Sequence, residues 1–229
     1  MKLYYDLHIH SALSPCGDED MTPNNIVNMA KLLGLDVIAL TDHNCAANVR
    51  AVAKLAKEAG LIFLPGLELN TAEEVHLLAY FSCAEQAEEF GEAIYRALPE
   101  IPNNEAFFGR QLILDDRDEI LGKKDKLLIS ALPYTLEECV ALIREAGGKA
   151  VPAHINKEAN SLIANLGFLP ENPALHTVEL APGCPLPPVD LHSVLTLCSS
   201  DAHYLENISE KEHFLESAEA DAAAVLEQF

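Results

Sequence analysis

Histidines and carboxylates recur in this chain at one kind of place, the close of a short apolar run. Asp6-Leu7-His8-Ile9-His10 ends the first such run. Side chains alternate faces along a strand, so His8 and His10 point the same way with Asp6 below them. Leu3, Tyr5, Leu7 and Ile9 then face covering helices. Two imidazoles on one face can hold a single first-row metal ion. Asp201 and His203 in Ser200-Asp201-Ala202-His203 repeat that parity at a later strand end. Between them lie His43 in TDHN, Glu68 in PGLE, His76 in VHLLAYF and His154 in VPAHI. A buried carboxylate such as Glu68 must be paired or metal-bound. A lone histidine in an apolar strand is ordinarily a satisfied core residue, and His76 or His154 alone would be read so. Of the nine histidines, only His176, His192 and His213 lack such a setting, and the shared position of the other six points to a metal cluster.

Alternating strands and helices must carry these residues. Leu3–His10 reads as a strand. Thr22-Pro23 opens a helix to about Leu33, with Thr as N-cap and Pro at the first position, and Gly34 stops it. Asp36–Leu40 is a strand, Ala46–Ala59 a helix closed by Gly60, and Leu61–Leu69 a strand. This repeat is the βαβ signature of a parallel sheet. Val75–Phe81 reads as a strand and Ala84–Leu98 as a helix. Residues 99–130 have no clean period and carry charge clusters, which predicts an insertion or lid. Leu136–Glu145 is a helix, Lys149–His154 a strand, Thr177–Leu180 and Val194–Ser199 strands, and Ser217–Gln228 a helical run. The ligand-type residues gather at carboxyl ends of strands, where a barrel places its active site. One domain over residues 1–229 is expected.

Composition sets outer limits. The 229 residues are 49% hydrophobic and 22% charged, which excludes a disordered or collagen-like chain. The formal charge is −21. Such a surface repels phosphate backbones and anionic membranes, so the expected partner is a small phosphorylated substrate, with no long nucleic acid and no membrane. The six cysteines form no CxxC pair, and no apolar signal core or bilayer-length segment is visible. A reduced, cytoplasmic protein is the expectation; oligomeric state is not legible.

DLHIHS, LTDHN, PGLE, VHLLAY, PAHI and SSDAH, in this order, resemble the polymerase and histidinol phosphatase (PHP) family, over about residues 2–204. The resemblance implies a distorted (β/α)7 TIM-like barrel with two or three divalent ions (Zn, Mn or Fe). It also implies hydrolysis of a phosphoester by a metal-bridged hydroxide. Carried over, His8, His10, Glu68 and Asp201 would surround one ion, Glu68, His76 and His154 a second, and Asp18, His43 and His203 a third. Glu68 would bridge ions and Asp201 would orient the attacking water, which makes these two the catalytic pair.

Relatives supply one further ligand shortly after HxH. Counting back from Thr22-Pro23 favours Asp18, and counting forward from His10 equally favours Cys16. Asp18 is preferred because a hard carboxylate suits Mn or Fe as well as Zn; Cys16 would then be a packed loop residue. Lys157 matches a position where relatives often carry Arg, and is expected to bind substrate phosphate without the bidentate fork of a guanidinium. The reading is a metal-dependent phosphatase or phosphodiesterase for a small phosphoester. Its rivals are an amidohydrolase-type metal-dependent hydrolase, which also opens with HxH, and a non-catalytic PHP metal-binding module.

Overall fold

The computed structural model describes all 229 residues. Strand β1 (Lys2–Asp6) leads to helix α1 (Pro23–Leu33), strand β2 (Val37–Leu40), helix α2 (Val49–Ala59), strands β3 (Ile62–Asn70) and β4 (His76–Tyr80), and helix α3 (Ala84–Ala97). Helix α4 (Glu105–Phe108) and the hairpin β5 (Leu112–Leu114) and β6 (Ile120–Lys123) occupy the segment read as an insertion. Then follow helix α5 (Leu136–Glu145), strand β7 (Lys149–Pro152), helix α6 (Leu162–Leu166), strands β8 (Thr177–Leu180), β9 (Leu195–Cys198) and β10 (Phe214–Glu216), and helix α7 (Ala222–Leu226).

The local signals act as their chemistry requires. The Thr22 side chain accepts from the Asn25 N–H ahead of Pro23, and Gly34 closes α1 in the left-handed region at φ 75°. Thr135 and Glu138 cap α5 reciprocally. Ile26, Val27 and Ala30 of α1, Val49 and Val52 of α2, and Val140 and Ile143 of α5 all join one large buried cluster. These helices cover one face of the sheet.

That sheet differs from the expected barrel. It has six strands in the order β10-β1-β2-β3-β4-β7. Only β1, β2 and β3 run parallel; β10 is antiparallel to β1, and β4 is antiparallel to both β3 and β7. Residues 71–75 between β3 and β4 are too few for a crossover, so the chain must turn back on itself. β8 and β9 form a separate parallel pair. It meets the main sheet through Ile155 N–H to Glu179 O (2.8 Å) on one side and a bridge from Ala202 to Ile9 on the other. The main sheet is therefore a curled half-barrel of mixed strands, and the β8–β9 pair meets it beyond β7 and beyond β1.

Two further expectations change. β1 ends at Asp6, short of the histidines. Leu3, Tyr5 and Leu7 pack with Val37, Leu64, Leu78 and Val151 and with Val225 and Leu226 of α7, away from the large helix-covered cluster that takes Ile9. Leu7 and Ile9 thus lie in different cores, so the strict alternation through Leu3–His10 breaks once the ladder stops. The helical run expected over Ser217–Gln228 shortens to α7, which starts only where the Asp221 side chain accepts from Ala224 N–H, and the preceding Phe214–Glu216 pairs with Lys2–Tyr4 and covers the β1 edge. Residues 99–130 are anchored beside the loop after β2: Asn44 donates to Leu128 O and Ser130 O, and Asn48 donates to Leu112 O. No helix is long and apolar enough to cross a membrane.

Candidate metal centre

The rim of the half-barrel is assembled from segments far apart in sequence. His8 and His10 follow β1 and are clamped by Ala202, which donates to His8 O and accepts from His10 N–H at 3.1 and 2.9 Å. His43 follows β2 and bridges to Glu68 of β3, where Glu68 N–H donates to Asp42 O. His76 opens β4 opposite Asn70. Unlike the other ligand-type residues it stands at the amino end of its strand. It reaches the same rim because β4 runs the other way. His154 follows β7 and Asp201 follows β9, both in left-handed backbone at φ 30° and 55°. Such conformations cost non-glycine residues about 1–3 kcal/mol and cluster at functional sites.

The donor atoms converge. His8 Nε2 and His10 Nε2 are 3.1 Å apart, and Asp201 Oδ1 lies 3.3 and 3.2 Å from them. Glu68 Oε1 is 3.3 Å from His8 Nε2, 2.9 Å from His76 Nδ1 and 3.3 Å from His154 Nε2, while Oε2 is 3.1 Å from His43 Nδ1 and 3.5 Å from His10 Nε2. Both Glu68 oxygens nevertheless lack any properly directed hydrogen bond, as do His43 Nδ1, His76 Nε2 and His154 Nδ1.

The remaining ring nitrogens explain why. His8 Nδ1 donates to Glu179 Oε2 at 2.8 Å. Ser14 Oγ gives its own proton to Asp42, so it accepts from His10 Nδ1 at 3.0 Å. Where both rings are neutral with their Nδ1 protons committed, the two Nε2 lone pairs face each other and two carboxylates. That arrangement repels itself without a cation at its middle. Three donors spaced 3.1–3.3 Å apart can all lie about 2.0 Å from one ion, the length of a zinc–nitrogen or zinc–oxygen bond. The donor set therefore fits a divalent ion, and Glu68 faces two such groups of nitrogens.

The charge states in the ion-free cluster follow from burial and neighbours. Burial opposes a charge on His8, but Glu179, Asp201 and Glu68 outweigh it and hold the imidazolium well above its usual range. Burial would raise Glu68, yet His76, His8 and His43 hold it well below the carboxylate range. Burial keeps His43 neutral and, with His10 nearby, pulls His203 down to about 4.

Glu179 and Asp42 carry no assigned role in the sequence reading. Glu179 Oε2 accepts from both His8 Nδ1 and the His154 N–H. Asp42 accepts from Ser11 N–H, Ser11 Oγ and Ser14 Oγ. Glu179 carries the same signal as Glu68, an acid inside an apolar strand, and could have been found by it. Partners of this type orient metal ligands, and losing one typically costs 10–100-fold in metal affinity. Glu179→Ala is expected to weaken zinc binding by about that factor, read by competition with a chromophoric chelator. Unchanged affinity would remove Glu179 from the site.

Asp18 is not brought into the cluster. Its N–H is tied to His203 O at 2.9 Å, and its Oδ1 accepts from Asp20 N–H. Cys16 instead groups with His10, His43 and His203. Lys157 reaches the site and pairs with Asp201 Oδ2. A cavity of about 390 Å³ opens over Glu68, His76, His154, Lys157, Asp201 and His203.

Known proteins share both sequence and fold with this chain. It is 37% identical over 67 residues to a 5'-3' exoribonuclease of Haemophilus influenzae, covering 29% of this chain and 23% of that protein. It is 34% identical over 67 residues to a 3',5'-nucleoside bisphosphate phosphatase of Chromobacterium violaceum, covering 29% and 22%. These alignments span about a quarter of the relatives' lengths. The lesion-specific endonuclease Q of Pyrococcus furiosus superposes with a TM-score of 0.68 at 20% identity, over 99% of this chain and 55% of that one. An endonuclease Q complex with a 27-mer duplex carrying an abasic lesion superposes at 0.66 and 21% identity, covering 99% and 56%.

The exclusion of long nucleic acid is thereby overturned. The same fold is solved with duplex DNA at its active site, and an exoribonuclease is among the sequence relatives. A formal charge of −21 is a sum over the whole surface, whereas a ligand entering a cleft meets only the local field there. The PHP domain profile matches residues 6–164, about two thirds of the chain, and the chain belongs to the PHP domain family.

Proposed function

We propose that this protein hydrolyses phosphoester bonds at a nucleotide, either free or at the end of a nucleic acid strand, with divalent ions held by the rim cluster. The observation that carries the reading is the pair of buried Glu68 oxygens ringed by five imidazoles at 2.9–3.5 Å with no directed hydrogen bond. When bound, divalent ions supply Lewis acidity toward a phosphoryl oxygen and lower the pKa of a water.

Each residue then has a distinct task. His8, His10, Glu68 and Asp201 would hold one ion, and Glu68, His76 and His154 a second, with Glu68 shared between them. Glu179 and Ser14 fix the two HxH rings with Nε2 facing inward. Asp201, 11% exposed at its side chain, is the most exposed of these six ligands and can orient an incoming water. Lys157, about a third exposed, supplies a cation for the phosphate once Asp201 turns to an ion.

The nucleotide character of the substrate rests on the activities named for the two sequence relatives and on the size of the cleft. A volume of about 390 Å³ lies at the small end of ligand pockets, which run about 300–1,000 Å³. It suits one nucleotide unit, with any longer strand running out of the mouth. The amidohydrolase alternative ordinarily uses a lysine as a bridging ligand, and here a carboxylate occupies the centre.

The test is hydrolysis by protein reconstituted with Zn, Mn or Fe. Substrates are a 3',5'-nucleoside bisphosphate, nucleoside monophosphates, 5'-phosphorylated RNA and DNA oligonucleotides, an abasic duplex and histidinol phosphate. Turnover of nucleotide or strand-end substrates is expected. Turnover of histidinol phosphate alone would refute the nucleotide assignment, and no turnover with any ion would refute the reaction. Lys157→Ala is expected to raise KM by less than about tenfold with kcat nearly unchanged, because the ions bind most of the phosphate. A kcat loss of about 10²-fold would instead place Lys157 on the reacting atoms.

A further inference from the structure

The loop between His10 and α1 places a thiol where the sequence favoured a carboxylate. Ser14 N–H donates to Ser11 O, and Gly17 N–H donates to Ser14 O, both at 3.0 Å. A Cβ on Gly17 would lie 2.2 Å from Ser11 O, so only glycine allows this turn to close. Asp18 N–H then ties the loop to His203 O at 2.9 Å. Between those two constraints, Cys16 borders the same cavity as His43 and His203. Its sulfur lies within 4.8 Å of ligand nitrogens of His10, His43 and His203. Asp18, one residue past the turn, has its carboxylate engaged by Asp20 N–H.

We propose that the Cys16 thiolate, with His43 and His203, is a ligand of a further metal ion in this site. The inference rests on the metal-centre reading above and adds a soft donor to a set otherwise made of nitrogen and oxygen. Thiolate favours Zn(II), Co(II) and Fe(II) over Mn(II) and Mg(II). This end of the site therefore selects the softer ions, while the Glu68 and Asp201 end accepts harder ones.

Cobalt substitution reads the sulfur directly. Protein loaded with Co(II) is expected to show a near-ultraviolet sulfur-to-cobalt charge-transfer band besides its visible ligand-field absorption. Cys16→Ser and Cys16→Asp should lose the charge-transfer band and keep ligand-field absorption from the other ions. Cys184→Ser, at an exposed position, should keep both. The wild-type spectrum decides even where a Cys16 variant fails to fold: bound cobalt without the band overturns the proposal and leaves the nitrogen and oxygen sites standing. No uptake of cobalt or zinc at all overturns the metal-centre reading together with this one.

A second measurement uses the unaltered chain. Read at alkaline pH, because burial and the nearby carboxylates of Glu68, Asp201 and Asp42 push the ion-free thiol up, zinc should slow alkylation of Cys16 by iodoacetamide roughly tenfold or more, since a coordinated thiolate is not free to attack. Cys184 should react equally with and without zinc. Equal alkylation of Cys16 in the presence and absence of bound zinc also overturns the proposal.

Discussion

Glu68→Gln is expected to lower turnover by at least about 10²-fold, roughly 2.7 kcal/mol of barrier, and to lower metal occupancy with it. Glutamine keeps the volume and one carbonyl oxygen. It removes the negative charge and replaces the second oxygen with an NH2 that cannot ligate. Glu68 Oε1 faces His8, His76 and His154, while Oε2 faces His10 and His43. One amide oxygen cannot serve both groups, so at least one ion loses a ligand. The side chain is 1% exposed, so the amide also has no water to receive its protons. Elemental analysis and steady-state kinetics on the same preparation test this. Glu219→Gln, at an exposed position, should change neither quantity. Wild-type activity in Glu68→Gln would exclude the bridging role.

Stripping the ions with a chelator is expected to abolish hydrolysis and lower the melting temperature. An ion present at about a thousandfold its dissociation constant stabilises by about 4.1 kcal/mol. For a chain of this size 1 kcal/mol moves Tm by about 2–4 °C, so each such ion contributes about 8–16 °C. In the stripped protein the histidine contributions should oppose one another about pH 6.5, the ordinary histidine value. Below that pH the unfolded chain protonates His43 and His203. The folded chain leaves them neutral, His203 until about 4, so stability falls with acid. Above it, folded His8 keeps a proton that the unfolded chain has lost. Its contribution disappears as pH rises through the raised folded value. Restored zinc competes with protons for the same nitrogens, so the acid side should steepen. Calorimetry across about pH 5–8 tests this. A stripped protein with unchanged Tm and full activity would exclude resident ions.

The sequence by itself determined which residues could do the chemistry and the elements that carry them. Histidine and carboxylate at strand ends are conspicuous because an apolar run has no other use for them, and the six imidazoles singled out are brought to one rim. Helix boundaries at Thr22-Pro23, Gly34 and Gly60 were legible because caps and left-handed glycines act within a few residues. The tertiary structure decided what depends on the path of the chain through space. The reversal of β4, the pairing of β10 with β1 and the curling of the mixed sheet are long-range choices that period and propensity do not encode. The placing of Cys16 near His43 and His203, with Asp18 outside that group, depends on one glycine turn packed against Ser11 and on a bond from Asp18 to His203, 185 residues away. The contacts of Glu179 with His8 and His154, and of Asp42 with Ser11 and Ser14, exist only because folding brings β8 and the Ser11–Ser14 loop to the rim. Net charge misled about nucleic acid for a related reason: it sums over every surface group, whereas an entering phosphate meets only the few groups that folding has brought together.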